Sequence, residues 1–243
     1  TANLTGGTAT LVAGTGIGVN TVAGDIDTAA VTLMTNSGTG GTYVTEADGV
    51  ALGAVTGNTS TGPIVIVAGG AITTGNTITT TANDSPITIT STGGAITLSH
   101  AVTAQGDGNV TLNANQLLTV NAKVSSTTGD LSLTGGTGVT HNAAGDLETT
   151  LAGTIGVTAT TGDVTMADGT IYSTGSGTVT VLAAANVVLG EITTTSSAIN
   201  VTATAGAITE TTGAETANLT GGTATLVAGT GIGVNTVAGD IDT

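Results

Sequence analysis

The chain has 243 residues, of which 40 are glycine, two are proline, two are tyrosine and none is Phe, Trp or Cys. One basic residue against 16 Asp and Glu gives a formal net charge of −15. This excludes nucleic-acid binding, which needs cations for the phosphates and aromatic rings for the bases. The lack of cysteine excludes disulfides, thiol catalysis and thiolate metal sites.

Apolar residues nevertheless reach 39%, and the mean hydropathy is +0.41. The apolar residues are mostly Ala, Val, Ile and Leu, so the composition indicates an ordered all-β chain. The longest apolar runs, such as Pro63–Ala68, are too short to cross a bilayer. We therefore expect no membrane insertion.

The opening stretch at positions 1–28, TANLTGGTATLVAGTGIGVNTVAGDIDT, recurs unchanged at 216–243, an offset of 215 in position number. An identical stretch at a fixed distance is the signature of a repeat array. Neither copy resembles a capping segment, and the chain opens without an initiator Met or a signal peptide. We expect residues 1–243 to form one continuous solenoid segment of an object that extends in both directions.

Short strands follow Gly-containing turns along the chain and alternate apolar with polar residues, as in GPIVI (Gly62–Ile66) and GAITL (Gly94–Leu98). Their first apolar residues recur about every eight positions, and every third one follows in steps of 23, 23, 21 and 24. The residues in these steps are Ile64, Ile87, Val110, Leu131 and Ile155.

Triplets of strands predict a coil with three faces and roughly 22–23 residues. The fold class is therefore all-β, a three-faced parallel β-helix or solenoid, with about nine to ten coils per long period. A β-sandwich is the alternative fold, but sandwiches usually centre on aromatic residues. The predicted inward side chains are Ile64, Ile66, Ile87, Ile89, Ile96, Leu98, Val110, Leu112, Leu131, Leu133, Val164, Met166, Val179, Val181, Ile199 and Val201.

Units such as STGGAITLS (91–99), TTGDLSLTGG (127–136) and TTGDVTMADG (160–169) resemble the filamentous-haemagglutinin-like and giant β-strand-repeat surface proteins of bacteria. The resemblance extends over essentially the whole chain, and it lies in the general pattern of the repeats. It implies a right-handed β-helical shaft outside the cell that serves adhesion, cell–cell contact or a filamentous coat. The family's N-terminal secretion domain is not visible here, and the chain lacks the basic patch that heparin binding would need.

Catalytic candidates are sparse, and we expect no enzyme. His100 and His141 are separated by roughly two predicted coils without a recognisable nucleophile, and we interpret both as solvent-facing. Carboxylates at i and i+2 could serve polysaccharide cleavage if the two groups lie about 5–9 Å apart. The pairs are Asp25/Asp27, Glu46/Asp48 and Asp146/Glu148, with only Tyr43 and Tyr172 available to stack on a sugar.

No cofactor is predicted, and Ca²⁺ is the one metal worth weighing. Its candidate ligands are Asp25, Asp27, Asp130, Asp146 and Asp163. Asp at a turn more often bonds backbone N–H groups, and the calcium-binding nonapeptide repeat is absent from the sequence. We therefore favour turn capping. GTGIG (Gly14–Gly18) is interpreted as a solenoid turn because it lacks the spacing and the Lys of a phosphate loop.

The sequence thus favours a structural repeat of an extracellular or cell-surface filament whose partner is the protein itself, end to end along the axis. Cell surfaces and neighbouring fibres are further expected partners. The alternative is a ligand-binding solenoid, either a receptor-binding adhesin module or an ice-binding face built from T-x-T pairs such as Thr88/Thr90. Because Thr is an ordinary outward residue of strands, the T-x-T pairs alone do not indicate ice binding.

Overall fold

The computed structural model describes residues 2–21, 23–53, 58–210, 217–233 and 241. These residues form 29 strands, β1–β29 in chain order, and no helix. All the recorded strand pairs are parallel and join into one hydrogen-bonded array, a β-solenoid of about 9 turns. The all-β solenoid predicted from the sequence is confirmed.

From β4 to β26, each strand pairs with the third strand after it, so one coil has three faces. The first face consists of β4 (Gly41–Glu46), β7 (Ile64–Ala68), β10 (Ile87–Ser91), β13 (Val110–Ala114), β16 (Leu131–Gly135), β19 (Ile155–Ala159), β22 (Val179–Ala183), β25 (Ala198–Ala203) and β28 (Thr223–Ala228). The second consists of β5 (Val50–Leu52), β8 (Ile72–Thr74), β11 (Ile96–Leu98), β14 (Leu117–Val120), β17 (Gly138–His141), β20 (Val164–Met166), β23 (Val187–Leu189), β26 (Ala207–Glu210) and β29 (Gly231–Ile232). The third consists of β6 (Asn58–Ser60), β9 (Ile78–Thr80), β12 (Val102–Thr103), β15 (Val124–Ser126), β18 (Leu147–Thr149), β21 (Ile171–Thr174), β24 (Glu191–Thr194) and β27 (Leu219–Thr220).

The register of the first face follows the spacing read from the sequence. Ile87 pairs with Ile64 on one side and with Val110 on the other, and the column continues through Leu131 to Ile155. Those pairs reproduce the steps predicted from the sequence. The turn signals and apolar alternation therefore define the strand register as well as the strands.

Coil length varies more than the sequence spacing predicts. Ile171 pairs with Glu191, which makes a shorter coil than any of the predicted steps, whereas Ile192 pairs with Leu219, which makes a longer one. The short coil arises at a corner: four residues separate Met166 from Ile171, but Gly190 alone separates β23 from β24. This corner absorbs the change in length, so the strands on either side of it stay in register.

Most of the interior is a stack of aliphatic side chains, beside which several Thr and Ser side chains are also buried. Every one of the predicted inward residues is at most 1% exposed. Burial of one such side chain contributes about 1.5–3 kcal/mol. A narrow prism filled with Ile, Val and Leu therefore needs no aromatic residue as a centre.

Glycines at the corners allow successive coils to approach closely. A Cβ atom on Gly162 would lie 1.9 Å from the carbonyl oxygen of Thr137, and one on Gly177 would lie 1.9 Å from that of Gly153. Real Cβ atoms do not approach backbone oxygen so closely. These positions need glycine for space between coils, without any unusual φ.

The first coils differ from the rest. β3 (Ile26–Ser37) runs on for 12 residues and pairs in turn with β4, β5 and β6. β1 (Leu4–Ala13) lies on β3 as one uninterrupted strand, and β2 (Gly16–Ile17) pairs with the start of β4.

The second copy of the repeated segment takes another form. The stretch of sequence that forms β1 in the first copy is divided in the second copy into β27 and β28 by a bend at Gly221–Gly222. β27 and β28 stack on two separate strands, β24 and β25, whereas β1 stacks on the continuous β3. The neighbouring coil therefore decides whether the Gly-Gly pair bends.

Candidate functional surfaces

His141 was predicted to face solvent, and that prediction is wrong. Its side chain lies inside the solenoid with 0% exposure, and its Nδ1 is 2.7 Å from the carbonyl oxygen of Gly145. Because a carbonyl only accepts, Nδ1–H is the donor and Nε2 is unprotonated. Burial lowers the pKa of His141 to about 4. The missed signal is its spacing, since His141 follows the inward residue Val139 by two positions.

Tyr172 is the neighbour of His141 in the core. The two ring centroids are 5.0 Å apart, in an edge-on arrangement with an interplanar angle of 68°. Burial raises the pKa of Tyr172 well above its usual value. Among the described residues, neither the Tyr172 hydroxyl nor His141 Nε2 has a hydrogen-bond partner, an arrangement that costs stability. The pair therefore leaves two buried polar atoms unsatisfied in a core that is mainly aliphatic.

His100 lies at an exposed corner, as predicted, with its Nδ1 3.0 Å from the carbonyl oxygen of Thr74. The fold therefore puts one histidine on the surface and the other in the core. The two residues do not form a nucleophile–base pair, which requires hydrogen-bond reach.

The pair Glu46/Asp48 does not share a face. Glu46 ends β4 with 1% exposure, whereas Asp48 lies in the exposed turn that follows. The Glu46 carboxylate accepts hydrogen bonds from the Thr28 hydroxyl at 2.5 Å and from the Ala30 N–H at 3.0 and 3.1 Å. Its role in this structure is to hold two coils together.

The other two carboxylate pairs are partly exposed. Asp146 and Glu148 flank Leu147 on the outer side of β18, and Glu148 forms an ion pair with Lys123. The Asp25 carboxylate accepts a hydrogen bond from the Thr45 hydroxyl. Asp27 is tied to Asn3 through its backbone, since its N–H donates to Asn3 Oδ1 at 3.0 Å.

The remaining calcium candidates are corner residues that bond to the next coil. Asp130 Oδ1 accepts from the N–H and the hydroxyl of Thr154, both at 2.8 Å. Asp146 Oδ1 accepts from the Ile171 N–H at 2.9 Å, and Asp163 Oδ1 from the Asn186 N–H at 2.8 Å. Turn capping was the favoured interpretation, but the bonded N–H lies about one coil away instead of in the same turn. Among the described residues, no group of three His, Cys, Asp or Glu converges.

Asparagine continues the same pattern. Asn109 Oδ1 accepts from the Asp130 N–H at 2.8 Å, and Asn186 Oδ1 accepts from the Ala207 N–H at 3.0 Å. We call these Asn and Asp side chains the corner ladder. Sequence reasoning missed it, although each member stands directly before the first inward residue of its strand.

Asp84 and Asp107 form an exposed carboxyl pair that the sequence did not reveal. They lie in successive coils, and Asp84 has a φ of 58°. A side-chain hydrogen bond with Asp107, and the charge of that residue, raise the pKa of Asp84. The same hydrogen bond lowers the pKa of Asp107. Two carboxyl groups that share a proton do not make a metal site.

The outward side of the first face does not carry a regular threonine array. Thr88 is followed in register by Thr111, Ser132, Gly156, Thr180 and Asn200, and the parallel column from Thr90 includes Asn113 and Leu182. A lattice match to ice needs evenly repeated groups, and these columns are interrupted.

Comparison with protein-family models, with curated proteins and with solved structures finds no match. In the part of the chain that the structure describes, no helix is long and apolar enough to cross a membrane.

Proposed function

We propose that this chain is a structural repeat of a long extracellular or cell-surface filament. It acts as a stiff shaft for surface coating, adhesion or contact between cells. Load is carried by backbone ladders that run along the axis and by the corner ladder that joins successive coils. The acidic chain, with 16 Asp and Glu against one lysine, keeps neighbouring shafts apart by repulsion.

The observation that carries this proposal is the position of the two identical segments. The first copy lies outermost at one end of the described stack as β1, and the second lies at the other end as β27–β29. Within the chain, Thr8–Ala13 pairs in parallel with Thr32–Ser37. A segment with the sequence of Thr32–Ser37, stacked on Thr223–Ala228, would repeat that pairing and carry the stack onward.

The exposed apolar side chains at both ends support the same proposal. Leu11 and its copy Leu226 pack against the core but are only partly buried, and Ile232, the register partner of the buried Ile208, is 50% exposed. Solenoids bury such groups against a further repeat or a cap. The resemblance to filamentous-haemagglutinin-like surface proteins adds the extracellular location and the link to adhesion. The interrupted threonine columns give the ice-binding alternative no support.

Two measurements test the filament. Material from the natural source is run on a denaturing gel, and its peptides across residues 213–222 are sequenced by mass spectrometry. In parallel, the 243-residue chain is imaged by electron microscopy over a range of concentrations, with a chain that stops at Glu210 as the control.

The outcomes separate the two ways in which a filament could arise. A very large band with junction peptides means that the periods are joined covalently. A band near 22.8 kDa, with fibres that the shortened control does not form, means that separate chains stack end to end. A band near that mass without fibres at any concentration would overturn the proposal.

A further inference from the structure

A projecting loop stands beside the only tyrosine that reaches the surface. Ile17 pairs with Thr42 and Ile26 pairs with Val44, so Tyr43 is the single residue of β4 opposite the insertion Gly18–Asp25. The sequence contains no Phe or Trp, and its other tyrosine, Tyr172, is fully buried. The fold therefore places its one accessible tyrosine ring at this insertion.

Hydrogen bonds connect the described residues of the loop. The Val19 N–H donates to the Gly24 carbonyl at 2.8 Å, and the Asp25 N–H donates to that of Thr21 at 3.1 Å. Gly18 has a φ of +66°, and a Cβ there would lie 2.5 Å from the Tyr43 carbonyl oxygen. Only glycine lets the loop leave the strand at this point. The hydrogen bond between the Thr45 hydroxyl and Asp25 fastens the other end.

The loop and the outer side of the first face enclose a groove of about 360 Å³. That volume falls in the range of small-molecule sites. Tyr43 and Thr45 of β4 form the floor together with their register partners Val65 and Val67. The wall is the loop, and the residues it contributes are Val19, Asn20, Thr21 and Asp25.

We propose that this groove binds a neutral pyranose sugar. The ring of Tyr43 and the valines suit the C–H face of a sugar, and the amide, hydroxyl and carboxylate groups of the wall suit its hydroxyls. None of the lining residues is basic, and the net charge of −15 repels anionic sugars. The site goes beyond the shaft role and does not depend on it.

Nuclear magnetic resonance of the 243-residue chain, with tyrosine rings labelled by ¹³C, tests the site. Tyr43 and Tyr172 give separate ring signals, and the buried Tyr172 is the internal reference. The probes are methyl β-glucoside, methyl β-galactoside and methyl α-mannoside, with glucuronic acid as the anionic counterpart. We expect a saturable shift of Tyr43 alone with at least one neutral glycoside, at a Kd on the order of 1 mM.

Variants separate ring stacking from nonspecific contact. Saturation transfer to the glycoside is expected to weaken about tenfold in Tyr43→Ala and to persist in Tyr43→Phe, which keeps the ring face. Thr88→Ala, an outward change further along the same face, is the matched control. Unchanged Tyr172 signals show that each variant is folded.

Two results would overturn the sugar site. One is the absence of a saturable Tyr43 shift with all three glycosides, and the other is equal transfer in Tyr43→Ala and the native chain. A Tyr43 signal that changes with protein concentration but not with glycoside is a case of the first result, and it would assign the groove to contacts between chains. Either failure leaves the gel and microscopy tests of the filament unaffected.

Discussion

The buried histidine makes the stability of the solenoid depend on pH. The pKa of His141 is about 4 in the folded chain and 6.5 without burial. Between these values the unfolded chain binds a proton that the folded chain does not, so stability falls as the pH falls. One pKa unit corresponds to about 1.4 kcal/mol, so the difference amounts to about 3 kcal/mol. This stability is fully present above pH 6.5 and is lost by pH 4.

His141→Met removes the titrating group and suits its column, in which Val120 and Met166 are the register neighbours. Urea unfolding at several pH values is followed by tyrosine fluorescence in a Tyr43→Phe background, so that Tyr172, beside position 141, is the only reporter. The free energy of unfolding of the native side chain is expected to fall by about 3 kcal/mol more than that of His141→Met from pH 7 to pH 4.

Comparison of the two chains cancels the protonation of the shared carboxylates, and Tyr172 stays neutral throughout this pH range. His100→Gln is the control for the replacement of a histidine at an exposed position. Equal slopes of unfolding free energy against pH in the native chain and His141→Met would refute the reasoning.

Three further predictions concern the packing of coils. Ile87→Ala should lower the free energy of unfolding by about 2–5 kcal/mol through the cavity it leaves, whereas Thr88→Ala, its outward neighbour, should change it by less than about 0.5 kcal/mol in the same urea titration. Asp130→Ala should lower the free energy of unfolding by about 1–2 kcal/mol, because the corner-ladder hydrogen bonds are lost. In thermal melts, Asp130→Asn should retain most of the native stability because it keeps an acceptor oxygen. Glu46→Ala should lower the free energy of unfolding by about 1–3 kcal/mol, because it leaves the buried Ala30 N–H without its carboxylate acceptor. Hydrogen exchange at the Ala30 amide should become faster, and unchanged exchange would contradict this role.

Much of this fold could be predicted because one rule operates in the coils that follow β3. An inward residue such as Val110 stands directly after a turn and alternates with outward residues, so strand, burial and register are encoded locally. The spacing between such residues along the chain then predicted a coil with three faces. The same rule would have placed His141 inside, and the error came from treating a polar residue as a surface residue by type.

Features that depend on another coil could not be read from the sequence. Gly6–Gly7 lies within a strand and the identical Gly221–Gly222 bends, because different neighbours lie beneath them. The insertion at Gly18 is identifiable only through the pairing of Ile17 and Ile26 with β4. Likewise, the partner of Asp130 is a backbone amide in the next coil, and no local sequence pattern identifies that amide.

The corner glycines also bear on how such a protein can change over generations. Positions such as Gly162 and Gly177 have no space for a side chain, so point mutations there would disrupt the packing of coils. Each coil contacts only the coils beside it. Gain or loss of one whole coil keeps every corner intact, and a corner can absorb a few residues, as the pairing of Ile171 with Glu191 shows. Gain or loss of one strand with its corner would instead move every later strand to another face. The length of the solenoid is therefore the property that can change most freely in evolution. It would change in increments of one coil, through unequal recombination between similar stretches of DNA.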